Sequence, residues 1–274
     1  PIKELLEFCI FNIDKPSGPT SFGVDEIIKA KLNASKTSHF GTLDPKVTGV
    51  LPIAVNRACR LSDYFMHRNK TYVGVMRIHK NISEEKLKQE MKKFIGKIKQ
   101  LPPVKSRVKR EEREREIFSF KILEKQGQDV LFETEVEAGT YIRKICSDLG
   151  LKIGGAHMLE LRRIKAGIFS EQDENFINLY EFEKAVEAWK AGDESLLRKI
   201  IIPAEIISQV LPVVQVEKQA LKALYNGKFL DIKQTNLKKF DDEKFALFCD
   251  DVFIGVYKAN SQTQAKPEFV LTKV

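Results

Sequence analysis

Apolar positions along this chain change their period several times, and each change marks an element. The run FCIFNI from Phe8 to Ile13 has strand character, and Pro16, Gly18 and Pro19 end it as a turn. Residues 23 to 32 read as a helix, Ile53 to Val55 as a short strand and RACRLSDYFM as a short helix. From Lys70, KTYVGVMRIH alternates with period 2. This puts Tyr72, Gly74, Met76 and Ile78 on one face of a strand and Val73, Val75 and Arg77 on the other. Ser83 is placed to cap a helix whose first turn holds Glu84 and Glu85 and whose core stripe is Leu87, Met91, Phe94, Ile95 and Ile98. Pro102 and Pro103 break it. REIFSFKILE and DVLFETEVE read as a hairpin turning at Gly127 and ended by Gly139, TYIRKICSDLGLKI as a helix, and LYEFEKAVEAWKAGD as a helix stopped by Gly192.

Beyond Pro203 the pattern shifts to short strands around one helical turn. We place a boundary near Val210, which divides the chain into residues 1–209 and a small β-rich module over 210–274, a size at which docking to the larger unit aids stability. Hairpins and helices without βαβ alternation make the fold class α+β.

Composition narrows the classes. Lys and Arg number 46 against 38 Asp and Glu, so the net charge is +8, a balance compatible with a polyanionic partner. No apolar run approaches the roughly 18 residues of a membrane span. The start PIKELLEFCIFNIDK lacks the basic, apolar, small-residue order of a signal peptide, so the expectation is a soluble cytoplasmic protein with no membrane partner. Cys9, Cys59, Cys146 and Cys249 lie far apart among apolar or small neighbours and read as buried free thiols. His39, His67, His79 and His157 show no ligand spacing, so no metal is expected.

The segment KTSHFGTLDPKVTG, residues 36 to 49, combines two glycines, a proline and one carboxylate, Asp44. Asp before Pro opens turns, and loops also concentrate catalytic groups; composition leaves both readings of Asp44 open. Tyr72 is by pattern a strand aromatic, and Arg143 a helical arginine. Lys105, Arg107, Lys109 and Arg110 form an acid-free basic run, whereas Arg113 and Arg115 alternate with Glu111, Glu112, Glu114 and Glu116. Such a stretch is either a phosphate-binding loop or a self-paired solvated face. His39 is either structural or substrate-ordering, and His157 reads as a packing residue.

HFGTLDPKVTG resembles the signature of the TruB-type RNA pseudouridine synthases, in their dyskerin-like branch. NIDKPSGPTS, KTYVGVMRIH, LPPVKSRVKREEREREIF, EAGTYIRKICSDLG and GGAHMLELRRIKAGIF match further segments in the same order between residues 12 and 169. The resemblance implies an α+β catalytic domain with a mixed, largely antiparallel sheet and flanking helices, over 1–209. It implies a PUA-like RNA-binding domain over 210–274, although GKFLDIKQ lacks that module's familiar elements. It also implies Asp44 as the catalytic aspartate, Tyr72 as the residue stacking on the target base, Arg143 as the partner of the aspartate, and Leu161 and Lys15 in the pocket. His39, Lys105, Arg107, Lys109 and Arg110 become RNA contacts, with no cofactor, since uridine is isomerised without redox change. Ser38 stands where the family usually has glycine, and Pro1 stands close to the first motif where relatives usually carry an extension. The branch implies an archaeal box H/ACA ribonucleoprotein with guide RNA and substrate RNA. Its expected protein partners are a zinc-ribbon or linker protein, a glycine-arginine-rich-type protein and a kink-turn-binding ribosomal protein. A stand-alone synthase of the tRNA T loop is the alternative within the class, and a non-catalytic RNA-binding scaffold the alternative outside it.

Overall fold

The structure is a computed structural model and describes residues 1–102, 109, 111–241 and 243–271. A short helix α1 (Ile2–Glu7) leads into β1 (Phe8–Lys15), α2 (Ser21–Leu32), β2 (Thr37–His39) and β3 (Thr48–Asn56). After α3 (Ser62–Met66) come β4 (Lys70–Ile78), α4 (Glu84–Lys92), β5 (Gly96–Gln100), β6 (Arg113–Gln126) and β7 (Asp129–Val136). Helix α5 (Ile142–Ile153) precedes β8 (Ala156–Ala166), β9 (Phe169–Ser170), β10 (Phe176–Asn178), α6 (Leu179–Lys190), α7 (Ser195–Ile200) and β11 (Ile202–Pro203). The rest holds β12 (Val213–Gln215), α8 (Leu221–Tyr225), β13 (Leu230–Asp231), β14 (Lys244–Cys249), β15 (Val252–Ala259) and β16 (Gln264–Val270).

Among the described residues, eleven strands form one mixed sheet in the order β10-β1-β3-β8-β4-β7-β6-β5, with β11, β2 and β9 added beside β1, β3 and β8. β1 with β10 and β3 with β8 are parallel, and the other neighbours are antiparallel. The inward face of β4 carries Lys70, Tyr72, Gly74, Met76 and Ile78, all buried, as the period-2 pattern requires. Leu87 and Met91 of α4 and Ile142, Ile145, Cys146 and Leu149 of α5 join the same apolar core as Tyr72, Met76 and Ile78.

The second, five-stranded sheet runs β12-β14-β15-β16-β13 and has its own core around Leu224, Leu247 and Tyr257. A third apolar cluster joins the two sheets. There Phe8 of β1 stacks on Phe253 of β15 at 5.4 Å between ring centroids.

Two sequence expectations change. The helix from Ser83 ends at Lys92, so Ile95 is exposed and Ile98 lies in β5, paired with Arg115. Gly96 adopts φ +101, which turns the chain back to add an edge strand to β6 before the two prolines. His157, expected to pack, is exposed at the rim of the sheet, where its Nδ1 lies 2.8 Å from Nε2 of His79. All four cysteines are buried free thiols, and burial pushes Cys59 up to about 11 and Cys146 up to about 12. Ser38 lies within β2 in register with Ala54, and its φ is not positive, so the glycine usual in the family is not needed there.

Candidate active site

Asp44 sits between β2 and β3, in a loop held from below by buried polar groups. Backbone NH of Val47 donates to the Asp44 carbonyl at 2.9 Å, closing a turn over Asp44 to Val47. The turn reading is therefore correct for the backbone, while the carboxylate is left outside it. Ser21, the first residue of α2, bonds both backbone groups of Leu43, accepting from its NH at 2.8 Å and donating to its carbonyl at 3.1 Å. Lys15 is fully buried at the end of β1, and its ammonium donates to the carbonyls of Pro16, Pro45 and Val47 at 2.8, 3.0 and 2.9 Å. Burial lowers the pKa of that ammonium, and the negative charge of Asp44 opposes the shift. Lys15 thus acts beneath the loop rather than in an open pocket.

The exposed Asp44 carboxylate pairs with Arg143, whose Nη2 donates to Oδ2 at 2.6 Å. More than half of each side chain is solvent-accessible, so the pair contributes little to net stability and is free to exchange partners. Arg143 comes from the first turn of α5. That helix start is clamped by the buried Gln100 of β5, which accepts from the NH of Tyr141 at 3.0 Å and donates to its carbonyl at 3.2 Å.

Tyr72 and Leu161 are both buried to within a tenth of full exposure, on the face of the sheet that α5 covers. Leu161 stands opposite Gly74, where a methyl group would meet the Phe132 ring at 2.7 Å and Leu161 Cδ1 at 2.9 Å. His39 is half-buried, with Nδ1 2.6 Å from Asp25 Oδ2 and Nε2 3.0 Å from Thr42 Oγ1, so it links α2 to the Asp44 loop. Lys109 is exposed and ion-paired with Glu111, while Lys105, Arg107 and Arg110 lie outside the described residues. In the acid-interleaved part the glutamates pair with lysines of β5, Lys97 to Glu114 at 2.9 Å and Lys99 to Glu112 at 3.4 Å, and Arg115 pairs with Glu137 at 3.8 Å. Among the described residues no cluster of three or more His, Cys, Asp or Glu side chains could hold a metal, and no helix is long and apolar enough to cross a membrane.

Residues 29–142 match the TruB family pseudouridylate synthase N-terminal domain, and residues 143–208 the tRNA pseudouridylate synthase B C-terminal domain. A probable tRNA pseudouridine synthase B of Methanothermobacter thermautotrophicus is 44% identical over 243 residues, covering 88% of this chain and 74% of its own. The chain belongs to the TruB family of pseudouridylate synthases. It is accordingly an RNA pseudouridine synthase, an isomerase. A second family member, from Pyrococcus abyssi and of the same name, is 43% identical over 271 residues, 96% of this chain and 80% of its own. The fold matches the family's solved structures: a Cbf5–Nop10–Gar1 complex (TM-score 0.90, 38% identity, 98% of this chain and 87% of that one) and an H/ACA ribonucleoprotein bound to a substrate RNA containing 2'-deoxyuridine (TM-score 0.89, 36% identity, 100% and 88%).

Sequence reasoning missed the groups that hold the Asp44 loop and the start of α5 in place, Ser21, Gln100 and Arg163, and the buried Lys70 beside Arg163. Lys70 and Arg163 did leave a signal, being charged residues in phase with the inward positions Tyr72 and Leu161 of alternating strands.

Proposed function

We propose that this chain isomerises uridine in RNA with Asp44 as the catalytic carboxylate, within an archaeal, guide-directed box H/ACA ribonucleoprotein. The observation that carries the chemical reading is the exposed Asp44–Arg143 pair, on a loop tied down by Lys15 and Ser21. In the reaction the N1 to C1′ bond breaks, the uracil turns, C5 bonds to C1′, and the proton lost from C5 is balanced by one gained at N1. Asp44 acts at the sugar, either by attack at C1′ or by taking the C2′ proton, and its charge stabilises positive charge developing there. Tyr72 stacks on the base and passes the C5 proton, Leu161 supplies an apolar wall, and Arg143 releases Asp44 to the substrate and fills the gap left by the flipped nucleotide. His39 has both ring nitrogens engaged, which leaves its ring face for RNA.

Guide dependence is supported by the likeness, over nearly the whole chain, to proteins solved with Nop10 and Gar1 and in a substrate-bound H/ACA ribonucleoprotein. The partners assigned are guide and substrate RNA, a Nop10-like linker protein, a Gar1-like glycine-arginine-rich protein and a kink-turn-binding ribosomal protein. The names of the curated relatives favour the second reading, a stand-alone tRNA synthase. Residues 210–274 are assigned as a PUA-like RNA-binding domain, a reading supported by their separate sheet and core. The archaeal sources of the relatives support a cytoplasmic location. The intact Asp44, Tyr72 and Arg143 argue against a scaffold without activity.

Asp44→Asn tests the chemistry. Tritium release from C5-labelled uridine should be abolished while RNA affinity stays within a few fold, because the carboxylate contributes little attraction to a polyanion; retained turnover would sink the assignment. Tritium release from rRNA and tRNA substrates, with and without guide RNA and partner proteins, separates the two readings.

A further inference from the structure

Arg163 is among the largest fully buried side chains of the protein, only 1% exposed, and among the described residues it forms no ion pair with a carboxylate. Its Nε donates to the carbonyl of Val50 at 2.8 Å and its Nη2 to the carbonyl of Gly41 at 2.9 Å. Burial lowers the pKa of the guanidinium, and the facing Tyr72, its cross-strand neighbour on β4, opposes that shift. The register explains the meeting: Arg163 lies opposite Tyr72 on β4 and opposite Gly49 on β3, and an irregularity between Thr71 and Tyr72 sets the local phase. Gly41, three residues before Asp44, has φ +105, and a methyl group there would lie 3.4 Å from Arg163 Nη1 and 3.5 Å from Lys70 Cε.

An arginine stays charged when buried, and a buried charge is a poor way to gain stability, since apolar packing of similar volume does as well or better. The bonds this guanidinium makes reach the loop of one proposed reacting group, and its strand position faces the other. Lys70 adds a second buried cation beside it, donating to the Met66 carbonyl at 2.9 Å.

We propose that Arg163 is a positioning residue for the isomerisation: it ties the Asp44 loop, through Gly41, to the strand position that faces Tyr72, and so fixes the two reacting side chains relative to each other. The inference rests on the catalytic reading of Tyr72. A fixed guanidinium also stabilises negative charge on a phenol oxygen while that oxygen handles a proton.

The test is a double-mutant cycle on the full chain, in the RNA-loaded form that gives wild-type turnover. Single-turnover rate, RNA affinity and thermal midpoint are measured for Tyr72→Phe, Arg163→Met, Arg163→Lys and the two double variants. Arg163→Met should slow the chemical step by about 10²-fold, the scale of a small misplacement of a reacting group, with RNA affinity within a few fold. Combined with Tyr72→Phe it should add almost nothing, because coupled residues are not additive. Arg163→Lys, which keeps the charge but loses the planar fork, should fold and fall between. Multiplying effects, or wild-type rates in the Arg163 variants, would overturn the proposal while leaving Tyr72 catalytic. Failure of both Arg163 variants to fold would make the residue structural and overturn it too. A wild-type rate in Tyr72→Phe alone would remove the catalytic reading of Tyr72 and this inference with it.

Discussion

Lys70 shows how one side chain couples burial to pH. Burial, with Arg163 and then Arg68 nearby, pushes its ammonium down to about 7. Below that pH the lysine is charged in both the folded and unfolded chain, and folding bears the full cost of burying the charge. Between about 7 and the ordinary lysine range near 10.4 the folded form is neutral while the unfolded form holds a proton, so stability rises with pH by up to about 1.4 kcal/mol per unit. Denaturant midpoints of wild type should therefore climb relative to those of Lys70→Met between pH 7 and 10. Parallel curves for the two proteins would show that Lys70 titrates normally.

At the scale of elements, the sheet geometry depends on close backbone approaches. Gly49 has φ +102, and a methyl group on it would lie 2.2 Å from the Arg163 carbonyl, at one of the two positions where β3 pairs in parallel with β8. Gly49→Ala should cost about 3 kcal/mol or more, because both the conformation and the contact must give. A loss below about 1 kcal/mol in equilibrium unfolding would mean that the two strands can separate cheaply. Helix α6 supplies a milder case. Its capping box, Asn178 accepting from the NH of Glu181 and Glu181 accepting from the NH of Asn178, both at 2.9 Å, should give Asn178→Ala a loss of about 1 kcal/mol, or roughly 2–4 °C in thermal midpoint.

Over the whole molecule, the net charge of +8 has to be placed before it can bind anything. Glu112 and Glu114 are taken up by Lys99 and Lys97 of β5 in exposed pairs, and Lys105, Arg107, Lys109 and Arg110 are the acid-free basic run proposed to meet phosphates. Lys109 is the one of these within the described residues, and its Glu111 partner is exposed and displaceable. Changing all four to alanine should weaken binding to every RNA tested. It should also lower the slope of log affinity against log salt by roughly 3, from about 0.7 per single-strand contact or about 0.9 per duplex contact. An unchanged salt slope would make the run a solvated face. The second sheet packs on the first through Phe8, Phe253 and Phe269 and through Tyr64 donating to Glu268 at 3.1 Å.

The strands that carry Tyr72 and the β6–β7 hairpin were legible because a period of 2 is local and each apolar face must be buried somewhere. Asp44 and Arg143 could be singled out from their motifs, and the fold brings the two together as an ion pair. The early end of α4 was not legible, because its last apolar residues fit a helical face equally well until a partner strand is present to claim Ile98. Nor did local sequence reveal that Lys15, Gln100 and Arg163 hold the Asp44 loop and the start of α5. Apart from Pro16 next to Lys15, their acceptors are backbone carbonyls 30 to 122 residues away in the chain. A carbonyl carries no side-chain signature, so only the folded backbone decides which buried donor it meets.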